Sequence, residues 1–146
     1  MISKESKIGE GTVIWHKHLV NIYGNCVIGK NCNIGGFVEI GPGVVIGNNV
    51  RIGAHTFIPS GVTIGDNCFV GPGVIFTNDK YPPGPKEKWG KIVVEKGASI
   101  GAGCVILPNV IIRENALVGA GSVVVRNVPV GETVFGNPSR RQPDEY

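Results

Sequence analysis

The stretch VEIGPGVVIGNNVRIG, residues 38–53, puts an isoleucine at positions 40, 46 and 52, each followed by a glycine. A period of six does not belong to a helix. Helical faces recur at three and four residues, and each interior glycine would cost about 1 kcal/mol. Six is three times the strand period, so very short strands joined by very short corners satisfy it. Val38, Val44 and Val50 stand two before the isoleucines and share their strand face. The residues that follow, Gly-Pro-Gly, Gly-Asn-Asn and Gly-Ala-His, have turn chemistry, because Gly and Asn tolerate positive φ. Each hexad therefore reads as one brief strand and one corner.

The period runs along most of the chain. Ile22, Ile28, Ile34, Ile40, Ile46, Ile52, Ile58, Ile64, Val70 and Phe76 hold one phase, and Val94, Ile100, Ile106, Ile112, Val118, Val124 and Val130 resume it. Ile8, Ile14 and Val20 are offset by two, which predicts a two-residue slip near Val20 to Ile22. Three hexads close a triangular coil of about 18 residues, and coils stack about 4.8 Å apart. The prediction is an all-β parallel β-helix of about six triangular coils in one domain, 1–146, with an extruded loop at about 79–91 and a C-terminal tail at about 136–146.

In this frame the 23 glycines and 10 prolines are architectural rather than low-complexity. The net charge of +3 is too mild and dispersed to argue for nucleic acid. No 18-residue apolar run predicts a membrane span, and MISKESKIGE lacks the apolar centre of a signal peptide, so a cytoplasmic location is expected. Cys26, Cys32, Cys68 and Cys104 all stand two before an inward residue, which makes them small buried side chains. His18 falls in the same inward slot, whereas His16 and His55 sit at corners. Outward positions carry Phe57, Ile75, Val105 and Val123, which align on one face if the loop adds 12 residues. An apolar outer face calls for a partner, and self-association into a closed trimer is the economical one.

The hexads, the loop, and the closing VGAGSVV (118–124) and GNPSR (136–140) resemble the hexapeptide-repeat acyltransferases. IWH (14–16), NIYG (21–24) and IFTNDKYP (75–82) are similar to the branch that N-acetylates nucleotide-linked amino sugars. The resemblance implies a left-handed coil and a homotrimer with sites between subunits. It also implies acetyl-CoA as co-substrate and the amine of a nucleotide-linked amino sugar, in glycan precursor synthesis, as acceptor. It places Asn78 beside the reacting amine, with Trp15, Asp79, Lys80 and Tyr81 toward the acceptor. Ala102, Ala120, Arg126, Pro138 and Arg140 fall to coenzyme A, with Arg141 a further cation near its phosphates.

Acyl transfer needs a neutral nucleophile, a held thioester and a donor for the oxyanion. A hydroxyl acceptor needs a general base, for which His16 and His55 are the candidates. An amine has a usable neutral fraction near pH 7, so orientation by the Asn78 carbonyl suffices. O-acetyl transfer, a longer acyl group, and a non-catalytic trimeric scaffold are the alternatives. The spacing of the three histidines does not match the zinc-dependent carbonic anhydrases of this fold, so no metal is expected.

Overall fold

The computed structural model describes residues 1–142, and its core is a three-sided parallel β-helix. Face 1 stacks Lys7–Ile8, Val27–Ile28, Val45–Ile46, Val62–Ile64, Ile92–Val94 and Ile111–Ile112. Face 2 stacks Val13–Ile14, Asn33–Ile34, Arg51–Ile52, Phe69–Val70, Ser99–Ile100, Leu117–Val118 and Thr133–Phe135, and Arg140–Arg141 adds an antiparallel edge. Face 3 stacks Asn21–Ile22, Glu39–Ile40, Phe57–Ile58, Ile75–Phe76, Val105–Ile106 and Val123–Val124. This is the predicted architecture, consistent with the left-handed coil. The last four residues of the tail, 143–146, lie outside the described residues.

Register follows the hexads. Phe57 pairs with Ile75, eighteen residues on, and Ile75 with Val105, thirty on, so the loop adds the twelve residues anticipated. The early slip is also present. Ile8 pairs with Ile28 and Ile14 with Ile34, twenty apart, and the extra two residues are taken up at the 3₁₀ turn Lys17–Leu19. That turn corrects the reading of His18, which is exposed; Val20 fills the interior instead. A second correction falls on Val130, which is 62% exposed. Ile112 bridges Val128, sixteen residues on, so the final corner is two residues shorter and Val128 and Val134 take the inward places.

The interior is a ladder of aliphatics, with Ile28, Ile46, Ile64, Ile92 and Ile112 on face 1 and Phe76 among the isoleucines of face 3, all fully buried. Each such burial stabilises by roughly 1.5–3 kcal/mol, and truncating one to alanine costs about 2–5 kcal/mol. The two kinds of corner residue have separate causes. A Cβ at Gly41 would sit 2.7 Å from the Ser60 amide nitrogen of the next coil, and one at Gly71 would sit 2.7 Å from that of Ala102. The first glycine therefore permits the stacking distance. The third corner residue carries the positive φ, and here asparagine serves as well as glycine: Asn25, Asn49 and Asn67 adopt 61°, 58° and 59°.

All four cysteines are buried free thiols. Cys26, Cys32, Cys68 and Cys104 place Sγ 3.1 Å from the carbonyls of Gly41, Gly47, Glu95 and Gly119 in the next coil. Thr56 donates to Gly71 in the same way, at 3.1 Å. The slot takes small side chains, Val38, Val44 and Ala98 among them, and where the side chain has a polar hydrogen it donates to a neighbouring carbonyl.

Candidate functional site

Most of the proposed site residues divide between the two margins of face 3. The margin shared with face 2 carries His16, Phe37 and His55 at successive coils, with φ of 54°, 58° and 62°. Positive φ is the rule at this corner position, and here histidine and phenylalanine hold it in place of the usual Asn or Gly. The Phe37 and His55 rings stack with centroids 4.8 Å apart and planes 3° from parallel. Above them the same margin continues as Pro72-Gly73, Ala102-Gly103 and Ala120-Gly121, then reaches Gly136-Asn-Pro138. Ala102 and Ala120 are exposed, so only methyl groups rise from the strip at these two coils. An extended acyl carrier could lie flat along it.

The margin shared with face 1 carries Asn78 and the loop. Asn78 Nδ2 donates to the Ser60 carbonyl at 3.2 Å, which leaves Oδ1 as the acceptor end of the amide. Its own carbonyl accepts from Gly90 N–H at 2.7 Å, so the two ends of the loop are clasped at this residue. Asn78 lines a groove of about 250 Å³ with Tyr23, Glu39, Pro42, Phe57, Ser60 and Trp89.

Asp79 organises the loop. Its Oδ2 accepts from Gly84 N–H at 2.6 Å and Oδ1 from Tyr81 N–H at 3.3 Å, while Trp89 Nε1–H donates to the Gly84 carbonyl at 3.2 Å. Lys80 Nζ lies 5.6 Å from the Tyr81 ring centroid, and these two with Asp79 and Lys88 border a separate depression on the loop. Trp15 is half exposed on face 2, in a concavity with Asn33, Arg51, Phe69 and Pro72, and is not part of the Asn78 groove. At the C-terminal end Arg126, Arg140 and Arg141 line one concavity of about 280 Å³. Arg141 is paired there with Glu132 at 3.2 Å. Ala102, Ala120 and Pro138 are not among its lining residues.

Thus one chain does not bring Asn78 together with His16 or His55, because the strands of face 3 stand between them. The sequence reading missed Glu39, Tyr23 and Phe57 as groove residues. The available signal was Glu39 itself, the only carboxylate in the outward series Asn21, Glu39, Phe57, Ile75, Val105, Val123. No group of three or more His, Cys, Asp or Glu that could hold a metal lies together among the described residues. No helix among them is long and apolar enough to cross a membrane.

The repeats match Bacterial transferase hexapeptide (six repeats) over residues 43–78 and 91–126, and Hexapeptide repeat of succinyl-transferase over 25–54. This chain belongs to the hexapeptide-repeat transferases. Among solved structures, a variant of AntD, an N-acyltransferase from Bacillus cereus, in complex with dTDP and coenzyme A is 30% identical, with a TM-score of 0.81 over 94% of this chain and 82% of that one. AntD in complex with dTDP and 3-hydroxybutyryl-CoA is 28% identical, with a TM-score of 0.82 over 94% and 81%. The acetyltransferase domain of PglB from Neisseria gonorrhoeae FA1090, at 18% identity and a TM-score of 0.78 over 90% of this chain and 57% of that one, shares the fold. No curated protein matches the chain. As a member of the hexapeptide-repeat transferases with coenzyme A-bound relatives, the protein is an acyltransferase that uses an acyl-CoA as co-substrate.

Proposed function

We propose that this transferase moves an acetyl group from acetyl-CoA to the amine of a nucleotide-linked amino sugar. The observation that carries the reading is the fixed amide of Asn78. Its donor end is committed to Ser60, and its acceptor end belongs to a groove walled by Trp89 and Phe57. An amide oxygen accepts a hydrogen bond from an amine and orients the lone pair toward a thioester; it cannot serve as a base for a hydroxyl. The ligands bound by AntD, dTDP and coenzyme A, support a nucleotide-bearing acceptor.

In this reading the arm of acetyl-CoA lies on the strip of Ala102 and Ala120 and ends near Pro138. Arg126 and Arg140, with Arg141, meet its phosphates as charge-assisted donors. Asp79, Lys80, Tyr81 and Trp15 serve the acceptor, Asp79 by holding the loop in shape. The working unit is a homotrimer in which the His55 margin of one protomer faces the Asn78 margin of its neighbour. Such an enzyme acts in the cytoplasm, where acetyl-CoA is supplied.

The place of His16 and His55 at exposed corners, where Asn or Gly is usual, favours a second reading, a histidine base acting on a hydroxyl. One assay separates the two: release of free coenzyme A thiol with a panel of nucleotide-linked amino sugars, for Asn78→Ala, His16→Ala and His55→Ala. Loss of one orienting hydrogen bond that strengthens in the transition state predicts a fall in kcat of about 10- to 1000-fold for Asn78→Ala. Smaller losses are expected for the histidine variants. A nearly dead His55→Ala or His16→Ala beside an active Asn78→Ala would replace the amine reading with the histidine one, where a lost base costs about 10²–10⁴.

A further inference from the structure

The groove beside Asn78 holds a carboxylate that the fold does not use. Glu39 stands on face 3 between Asn21 and Phe57, half-buried, where the coils above carry Phe57, Ile75, Val105 and Val123. The ion pairs among the described residues are Arg113 with Glu95 and Arg141 with Glu132, and neither involves Glu39. Its protein partner is the Tyr23 hydroxyl, which donates to Oε1 at 3.4 Å. One long hydrogen bond leaves most of the acceptor capacity of a carboxylate unused.

Three aromatic rings share the groove with it: Tyr23, Phe57 and Trp89. Trp89 is fixed by its indole N–H to the Gly84 carbonyl at 3.2 Å, so the loop supplies a rigid wall. Lys86 already lies 5.9 Å from the Trp89 ring centroid, but neither it nor any other lysine lines the groove. Aromatic faces attract a cation through their quadrupole, and a carboxylate among them supplies the countercharge. The groove's 250 Å³ leaves room for a single sugar ring rather than a whole nucleotide sugar.

We propose that this groove is an ammonium-recognition site: Glu39, with the rings of Tyr23, Phe57 and Trp89, binds the acceptor amine in its protonated form and takes the proton it must lose. The proposal rests on the amine reading of the function. An N–H bond of the ammonium breaks and an O–H bond forms on Glu39, which frees the nitrogen lone pair beside Asn78 Oδ1. The amine then forms the C–N bond with the thioester carbonyl. The C–S bond breaks, and the departing thiolate takes the second proton from nitrogen to leave as coenzyme A thiol. Glu39 returns its proton to solvent. Selection of an amine over a hydroxyl follows from charge, before any chemistry.

The test uses the intact protein and two probes of equal shape, cyclohexylammonium and cyclohexanol, with binding followed by ligand-observed magnetic resonance. Cyclohexylammonium should bind at least about tenfold more tightly than cyclohexanol. Glu39→Gln, which keeps a partner for Tyr23, should abolish that preference, and Trp89→Leu should weaken it, with thermal unfolding showing both variants folded. Equal binding of the two probes to the wild type, or an unchanged preference in Glu39→Gln, would overturn the proposal even if amino sugars are turned over. An ammonium preference that depends on Glu39 in a protein that acylates no amine would leave the site standing and defeat the catalytic reading instead.

Discussion

Cys68 and Cys104 are buried thiols in the inward slot whose ionisation the coil opposes. Burial raises the Cys68 thiol above its ordinary 9.0, against the backbone amides of Ala98 and Gly97, which lower it; burial likewise raises Cys104, against Ser122 and Gly121. A raised pKa in the folded state means the unfolded chain loses its proton first. The stability tied to these thiols is therefore full below the ordinary thiol pKa and is lost as pH rises through the raised one. Serine fits the slot, as Ser122 shows by donating to Gly119 at 2.6 Å. The double substitution Cys68→Ser with Cys104→Ser should fold, and its melting temperature should fall less than that of the wild type between about pH 8 and 10. An identical alkaline decline in both proteins, followed by scanning calorimetry, would show that these thiols do not ionise against the fold. The same slot explains why cysteine was readable as structural: it recurs at one place in the hexad, while Thr56 and Ser122 fill that place elsewhere.

The hexad is the element from which almost all of the fold was legible, because inward aliphatics, corner asparagines and glycines repeat the same message at every coil. Legibility failed where a corner changes length. Val128 rather than Val130 turns inward because the last corner closes two residues early, just before Pro129, and no further repeat follows to reveal the new phase. His18 was misplaced because the 3₁₀ turn at Lys17–Leu19 absorbs the slip ahead of Val20. The groove was the least legible part. Tyr23, Glu39 and Asn78 meet through stacking of coils, and a single glutamate on an outward position reads as a solvated side chain. The loop enters and leaves the coil at one clasp, Gly90 N–H to the Asn78 carbonyl. Replacing 79–91 by a short Gly-Ser link should therefore preserve the coils, with circular dichroism and melting little changed. It should also lower kcat/KM for the acceptor at least about 100-fold, the scale on which lost positioning acts. An unchanged kcat/KM would make the loop a passive bulge.

At the scale of the whole molecule, face 3 presents Phe57, Ile75, Val105 and Val123 in one register-matched column, with Phe57 and Ile75 37% and 36% exposed. An apolar column this regular on a prism fits burial against a second copy, and closed rotation makes three copies the economical assembly. Sedimentation equilibrium should give about three times the chain mass of 15.4 kDa. Phe57→Asp should dissociate the assembly, since an unpaired charge in an apolar contact costs several kcal/mol. It should lose activity with it; full activity in a monomeric variant would place the whole site within one chain. The central claim, acyl transfer from acetyl-CoA to an amine, is tested most directly by the bond in the product. Product isolated after incubation with acetyl-CoA and a nucleotide-linked amino sugar should carry its acetyl group on nitrogen, as an amide that survives alkaline hydroxylamine. An acetyl group on oxygen, released by the same treatment, would contradict the account.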